Sequence, residues 1–334
     1  ARDIYDGAVF IDYQIDAHGL SQPMLEQPSD NTNLLLLGDS IPEAYFVQPE
    51  QRVAHIIGLS DDLRVYNGAR AGATIYDMYY NYQHIRRSGI IFDTVLLSTL
   101  IRDYAVTVQY ANEGQVFDHE VYRAEAESDH TGVIETPIDL LQETEFWGYM
   151  RNFYHTELAP TLDEADVANS SLDSMLERMD AFMEGKTVVD SLEDCPMLPD
   201  VLETYEAVVR DGFQRFLNLT EEDGFQLIVT SLPDGYLADE ASFYNDLRAH
   251  TPCGDDLVLS FEASHDLYEI LNPIYLQIAE EMDIATIDLR TAVADEFDDQ
   301  GGLYTYDGIH YTERGSVLVG EALRPAIEAL IETE

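Results

Sequence analysis

Leu34-Leu35-Leu36-Leu37-Gly38-Asp39-Ser40 is the stretch on which the reading of this chain turns. Four consecutive leucines leave no polar face, so they predict a strand buried on both sides, as in a parallel sheet covered by helices. Gly38 and Asp39 then break the run, and the spacing of residues 42–57 predicts a helix. A serine just past such a strand stands at the sheet edge where open α/β folds bind ligands.

Working outward, residues 63–67, 94–100, 225–231 and 284–289 read as four more strands, and 74–87 and 313–331 as helices. Strands separated by helices predict a parallel sheet with helices on both faces, a three-layer α/β/α sandwich. The loops after Asn67 and Leu100 then fall at the same edge as Ser40. Three segments lie outside this pattern. Residues 1–33 form an N-terminal arm in which Val9-Phe10-Ile11-Asp12-Tyr13-Gln14-Ile15 is strand-like, and residues 34–334 form the main domain. That domain carries an insertion over 104–200, a cap or an interface, and a shorter excursion over 232–262. Helices are predicted within the insertion at 137–158 and 172–184, the second with Leu172, Met175, Leu176, Met179 and Met183 in a packing stripe.

The charge is extreme: −48 net over 334 residues, with Lys186 the only lysine. Self-repulsion of this size destabilises a compact state. It points to a salt-adapted protein from a halophile, or to an acidic secreted protein that binds divalent cations. So few cations cannot assemble a basic patch, which excludes non-specific nucleic-acid binding. No apolar stretch is long enough to span a membrane. The chain starts at Ala1, which suits a product from which a signal or anchor has been removed. Cys195 and Cys253 each adjoin a proline and fit no zinc spacing. They form one disulfide if the protein is exported, or stay two free thiols.

A second motif, Asp307-Gly308-Ile309-His310, stands near the C-terminus. A serine after a buried strand and an Asp-x-x-His pair supply a nucleophile, a base and a group to orient the base. With these motifs the chain resembles the SGNH/GDSL hydrolase family, which has a flavodoxin-like three-layer fold with five parallel strands. Leu34 to Ser40 is similar to the family's first block, which implies Ser40 as nucleophile. Tyr66-Asn67-Gly68-Ala69-Arg70-Ala71-Gly72-Ala73-Thr74 is similar to the second, which implies oxyanion donors at the N–H groups of Ser40 and Gly72. Asp307-Gly308-Ile309-His310-Tyr311-Thr312, with Gly315 beyond, is similar to the last and implies His310 as base and Asp307 as its partner. The third block departs from the family's Gly-x-Asn-Asp. Here Leu100-Ile101-Arg102-Asp103 places Arg102 where the family has an oxyanion-binding asparagine. Arg102 either donates to the oxyanion, binds an acidic substrate group, or turns outward to pair with carboxylates. Asp39, Asn67 and Asp103 are further candidate substrate contacts.

The resemblance implies a serine esterase or acyltransferase acting on O-acyl, chiefly acetyl, groups of carbohydrate, with no cofactor and no metal. Asp16-Ala17-His18-Gly19-Leu20 in the arm resembles exported members that act on surface polysaccharides, which implies an extracellular or cell-surface location. A non-catalytic surface or assembly protein on the same scaffold, able to self-associate, is the alternative, and a lipase with a lid in the insertion is a third. The other eight histidines show no ligand spacing, and the acidic loop 295–299 does not match a calcium loop.

Salt should decide how the charge is carried. The Debye length shrinks to about 3 Å at 1 M. The unfolding midpoint is expected to rise steadily from low salt to molar potassium chloride; maximal stability in low salt without divalent cations would refute both readings of the charge.

Overall fold

The computed structural model describes residues 14–22, 31–44, 47–98, 101–115, 117, 185–231, 252–254, 256–294, 304 and 310–331. All but Phe117, Gly185 and Lys186 of these belong to one compact unit, Ile11–Val116 with Thr187–Glu334; Ala1–Phe10 and Phe117–Lys186 form another. The helices read at 137–158 and 172–184 lie outside the described residues.

A hairpin opens the described chain: β1 (Gln14–Ile15) pairs antiparallel with β2 (Ser21–Gln22). Its turn is the Asp16 to Leu20 stretch, where the Asp16 carboxylate accepts the N–H groups of His18 at 2.8 Å and Leu20 at 3.0 Å. Of the strand read at 9–15, only its last two residues are described.

The main sheet uses β3 (Thr32–Gly38), β4 (Leu63–Asn67), β5 (Thr94–Ser98), β7 (Gln226–Thr230) and β9 (Ala285–Ile287). Two shorter strands, β6 (Thr187–Val189) and β8 (Leu257–Leu259), pair with each other in parallel. The main sheet runs β4-β3-β5-β7-β9 and is parallel throughout, the flavodoxin-like order. All four leucines of β3 are fully buried. Successive strand residues face opposite sides. Leu34 and Leu36 join a core with Val53, Ile57, Val319 and Leu323, while Leu35 and Leu37 line up beside Ile85 on the other face.

Eight helices cover the sheet among the described residues: α1 (Ser40–Glu43), α2 (Val53–Ile57), α3 (Ile75–Ile85), α4 (Ile101–Asn112), α5 (Leu198–Asp223), α6 (Phe261–Glu281), α7 (Leu289–Ala292) and α8 (Glu313–Ile331). The single helix expected over 42–57 is broken. α1 ends at Ala44 in the left-handed conformation (φ 51°), and a 3-10 turn, Pro49–Gln51, precedes α2. Pro49 explains the break: it lacks an N–H and holds Gln48 out of the helical region, at ψ 143°. α5 and α6 were not read from the sequence. α5 buries Leu198, Val201, Tyr205, Val208, Phe213, Phe216 and Leu219 along one stripe, a regular helical spacing.

Cys195, just before α5, and Cys253, just before β8, form a disulfide that closes 58 residues of chain. It ties the start of α5 to the residues just before β8. A loop of this size constrains the unfolded chain. Replacing both cysteines by serine is expected to lower stability by about 2–4 kcal/mol in chemical denaturation.

Candidate active site

Three loops meet where the sheet ends. The parallel register sets Leu36 beside Asn67 and Gly38 beside Ser98, so the segments that follow β3, β4 and β5 leave the sheet side by side. The loop after β4 continues the pairing: Gly68 donates its N–H to the Leu36 carbonyl (2.8 Å) and Arg70 to that of Gly38 (2.9 Å). Gly38 must be glycine, because a Cβ there would collide with the Pro42 ring and the Ser98 carbonyl. With no side chain in the way, the backbone turns at once into α1, which places Ser40 at its first position.

Ser40 Oγ lies 2.8 Å from His310 Nε2, a contact spanning 270 residues of chain. With the imidazole proton on Nδ1, the serine hydroxyl donates to Nε2. His310 is buried, and the neighbouring segment is fixed on both sides. Thr312 donates its N–H to the Tyr304 carbonyl at 2.8 Å, and its hydroxyl accepts the Gly315 N–H at 3.1 Å, capping α8. Gly315 has a physical reason too: a Cβ would strike the Tyr304 carbonyl. Asp307, Gly308 and Ile309 lie outside the described residues.

Gly72 adopts φ 71°, a conformation natural to glycine, and a Cβ there would touch nothing within 4 Å. Among the described residues, the N–H groups of Ser40 and Gly72 have no hydrogen-bond partner. Arg102 lies in the first turn of α4 and turns inward. Its Nε donates to the Gly72 carbonyl at 3.1 Å, and it forms no ion pair among the described residues. The outward, carboxylate-paired arrangement is therefore not the one adopted. Thr99 and Leu100 lie outside the described residues.

The three residues read as substrate contacts are buried, and each holds main chain. Asp39 caps α1 by accepting the Ile41 N–H at 2.9 Å. Asn67 accepts the Ala69 N–H at 3.0 Å and points its amide toward the carbonyls of Pro42 and Glu43, each at 3.5 Å. Asp103 accepts the Ile75 N–H at 2.9 Å, joining the start of α4 to the start of α3. Thr74 and Asp77 close a capping box at the same end of α3, a Thr-x-x-Asp signal that the sequence carried. Burial lifts both acids: the Asp39 carboxyl is pushed up to about 6 and that of Asp103 to about 7. Backbone donation and the Arg102 charge pull the other way, and desolvation wins. Among the described residues no cluster of His, Cys, Asp or Glu could hold a metal ion, and no helix is long and apolar enough to cross a membrane.

No protein-family model matches the chain, nor does any curated protein. Solved structures do. A carbohydrate acetylesterase family member from Sinorhizobium meliloti is similar at TM-score 0.44 and 12% identity, covering 90% of this chain and 99% of that one. A catalytic mutant of an acetylxylan esterase from Geobacillus stearothermophilus is similar at TM-score 0.41 and 15% identity, over 89% and 94%. A member of the lipolytic G-D-S-L family from Veillonella parvula is similar at TM-score 0.39 and 13% identity, over 87% and 95%. The Veillonella parvula protein is named for the lipolytic G-D-S-L family, whose blocks the sequence resembles.

The raised Asp103 carboxyl gives a pH dependence with a definite sign. Its ordinary value is 3.8, so between 3.8 and about 7 the folded protein holds a proton that the unfolded chain has lost. Stability then falls as pH rises through that window, and the penalty is complete above it. Asp103→Asn keeps an oxygen for the Ile75 N–H and cannot ionise. The variant's unfolding midpoint relative to the parent is expected to be highest near pH 8 and to decline toward pH 4 at fixed salt. A difference that stays flat with pH would contradict the assignment.

Proposed function

We propose that this chain is a serine ester hydrolase of the SGNH/GDSL type, with Ser40 as nucleophile and His310 as base. The observation that carries the proposal is the 2.8 Å contact between Ser40 Oγ and His310 Nε2 at the carboxyl edge of the parallel sheet. Ser40 Oγ attacks the ester carbonyl while its proton passes to Nε2, and a tetrahedral oxyanion forms. The C–O bond to the alcohol then breaks, and the imidazolium gives its proton to the departing alkoxide. Water attacks the acyl-enzyme, gives a proton to His310, and the acid leaves as the proton returns to Ser40. A sugar hydroxyl in place of water would make the same site an acyltransferase. The N–H groups of Ser40 and Gly72 serve the oxyanion, each such donor contributing about 3–4 kcal/mol. Asp307, three residues before His310, is assigned to orient the imidazole.

Acetyl esters of carbohydrate are the substrate class that the sequence resemblance implies. The Cys195–Cys253 disulfide supports an oxidising, extracellular setting, and the charge of −48 supports a salty one. Ser40→Ala, assayed in high salt on p-nitrophenyl acetate, is expected to lower turnover by a factor on the order of 10⁴ or more. A fluorophosphonate probe should label the parent and not the variant. A folded parent that neither labels nor turns over ester would favour the non-catalytic surface protein.

A further inference from the structure

Arg102 stands in the first turn of α4. The first turn of a helix carries the positive end of its dipole, which disfavours a positive side chain. Among the described residues no ion pair compensates it, and only its Nε is engaged, at 3.1 Å to the Gly72 carbonyl. Its charge is felt by both Asp39 and Asp103, the buried acids on either side of the serine loop and the α4 start. It is thus held at Gly72, in the loop after β4, with no other hydrogen bond from the guanidinium among the described residues.

We infer that Arg102 is the side-chain donor of the oxyanion hole, using the outer N–H groups of its guanidinium while Nε anchors it to Gly72. The inference rests on Ser40 being the nucleophile. A guanidinium is planar, so fixing Nε fixes the direction of the other donors. Any N–H bond to an oxyanion is charge-assisted, and a guanidinium adds a full positive charge opposite it. In low salt a net charge of −48 repels a free carboxylate before it reaches the site, whereas an oxyanion arises only after a neutral ester has entered.

The test compares parent, Arg102→Ala and Arg102→Asn in high salt, first by fluorophosphonate labelling of Ser40, then on neutral p-nitrophenyl acetate and its anionic hemisuccinate analogue. A parent that fails to label would refute the nucleophile assignment itself. With labelling intact, Arg102→Ala is expected to lower kcat/KM for the acetate by about 10²–10³-fold. The loss should fall on kcat more than KM, and a trifluoromethyl ketone should lose affinity in parallel. Arg102→Asn, an amide donor, should recover part of the rate. Unchanged acetate turnover in a labelled Arg102→Ala would overturn the inference, and a loss confined to the hemisuccinate would assign Arg102 to an acidic substrate group instead. Equal unfolding midpoints keep a folding defect out of the comparison.

Discussion

The contact that the site depends on is made by a residue with no side chain. At Gly38 the main chain passes between the Pro42 ring and the Ser98 carbonyl, with no room for a Cβ. Its own carbonyl receives the Arg70 N–H, and its partner in the sheet is Ser98. Three loops are thereby brought to one point, and Ser40 follows two residues later. A methyl group at this position would have to separate β3 from β5 or push α1 away, and either shift would move the serine from His310. Interiors pack too densely to absorb such a change locally.

Around that point the polar groups serve the backbone. Asp39, Asn67 and Asp103 each hold a main-chain N–H, at Ile41, Ala69 and Ile75. Each of those amides belongs to a loop leaving the sheet edge or to the helix that follows it. Burying two carboxyls is unfavourable, and their upward displacement toward neutrality, driven by desolvation, is the sign of it. The gain is rigidity: the Gly72 loop is held between β4 and α3 at one end and by Asp103 and Arg102 from α4 at the other. A site that must stabilise a fleeting charge works best when its donors need no reorganisation.

The five strands were legible because each is an apolar run that only a doubly covered sheet requires, while Ser40 and His310 were singled out by the Gly-Asp-Ser and Asp-x-x-His motifs and stand 2.8 Å apart. The broken helix after Ser40 was misread, since the apolar spacing of 42–57 outweighed the signal of Pro49. α5 did carry a readable stripe from Leu198 to Leu219, hidden by treating 104–200 as one insertion. α6 was harder, because Pro273 lies inside it and argues against a helix. The partners of Asp103 and Arg102 could not be read at all. The hydrogen bond from Ile75 joins residues 28 apart and that to Gly72 residues 30 apart, and neither leaves a local pattern.

The charge and the chemistry pull against each other. A chain at −48 raises the cost of any added negative charge, and a serine mechanism must create one at the carbonyl oxygen. Bulk salt screens the distant carboxylates, since the Debye length near 1 M is only about 3 Å. Mobile ions screen buried groups much less, so Asp39 and Asp103 must be answered locally. Below about pH 6 protonation of both carboxyls does part of this, and the Arg102 charge opposes them where they ionise. An asparagine in that place would supply a donor without a charge to oppose the two acids. If Arg102 donates to the oxyanion as inferred above, arginine meets both requirements at once.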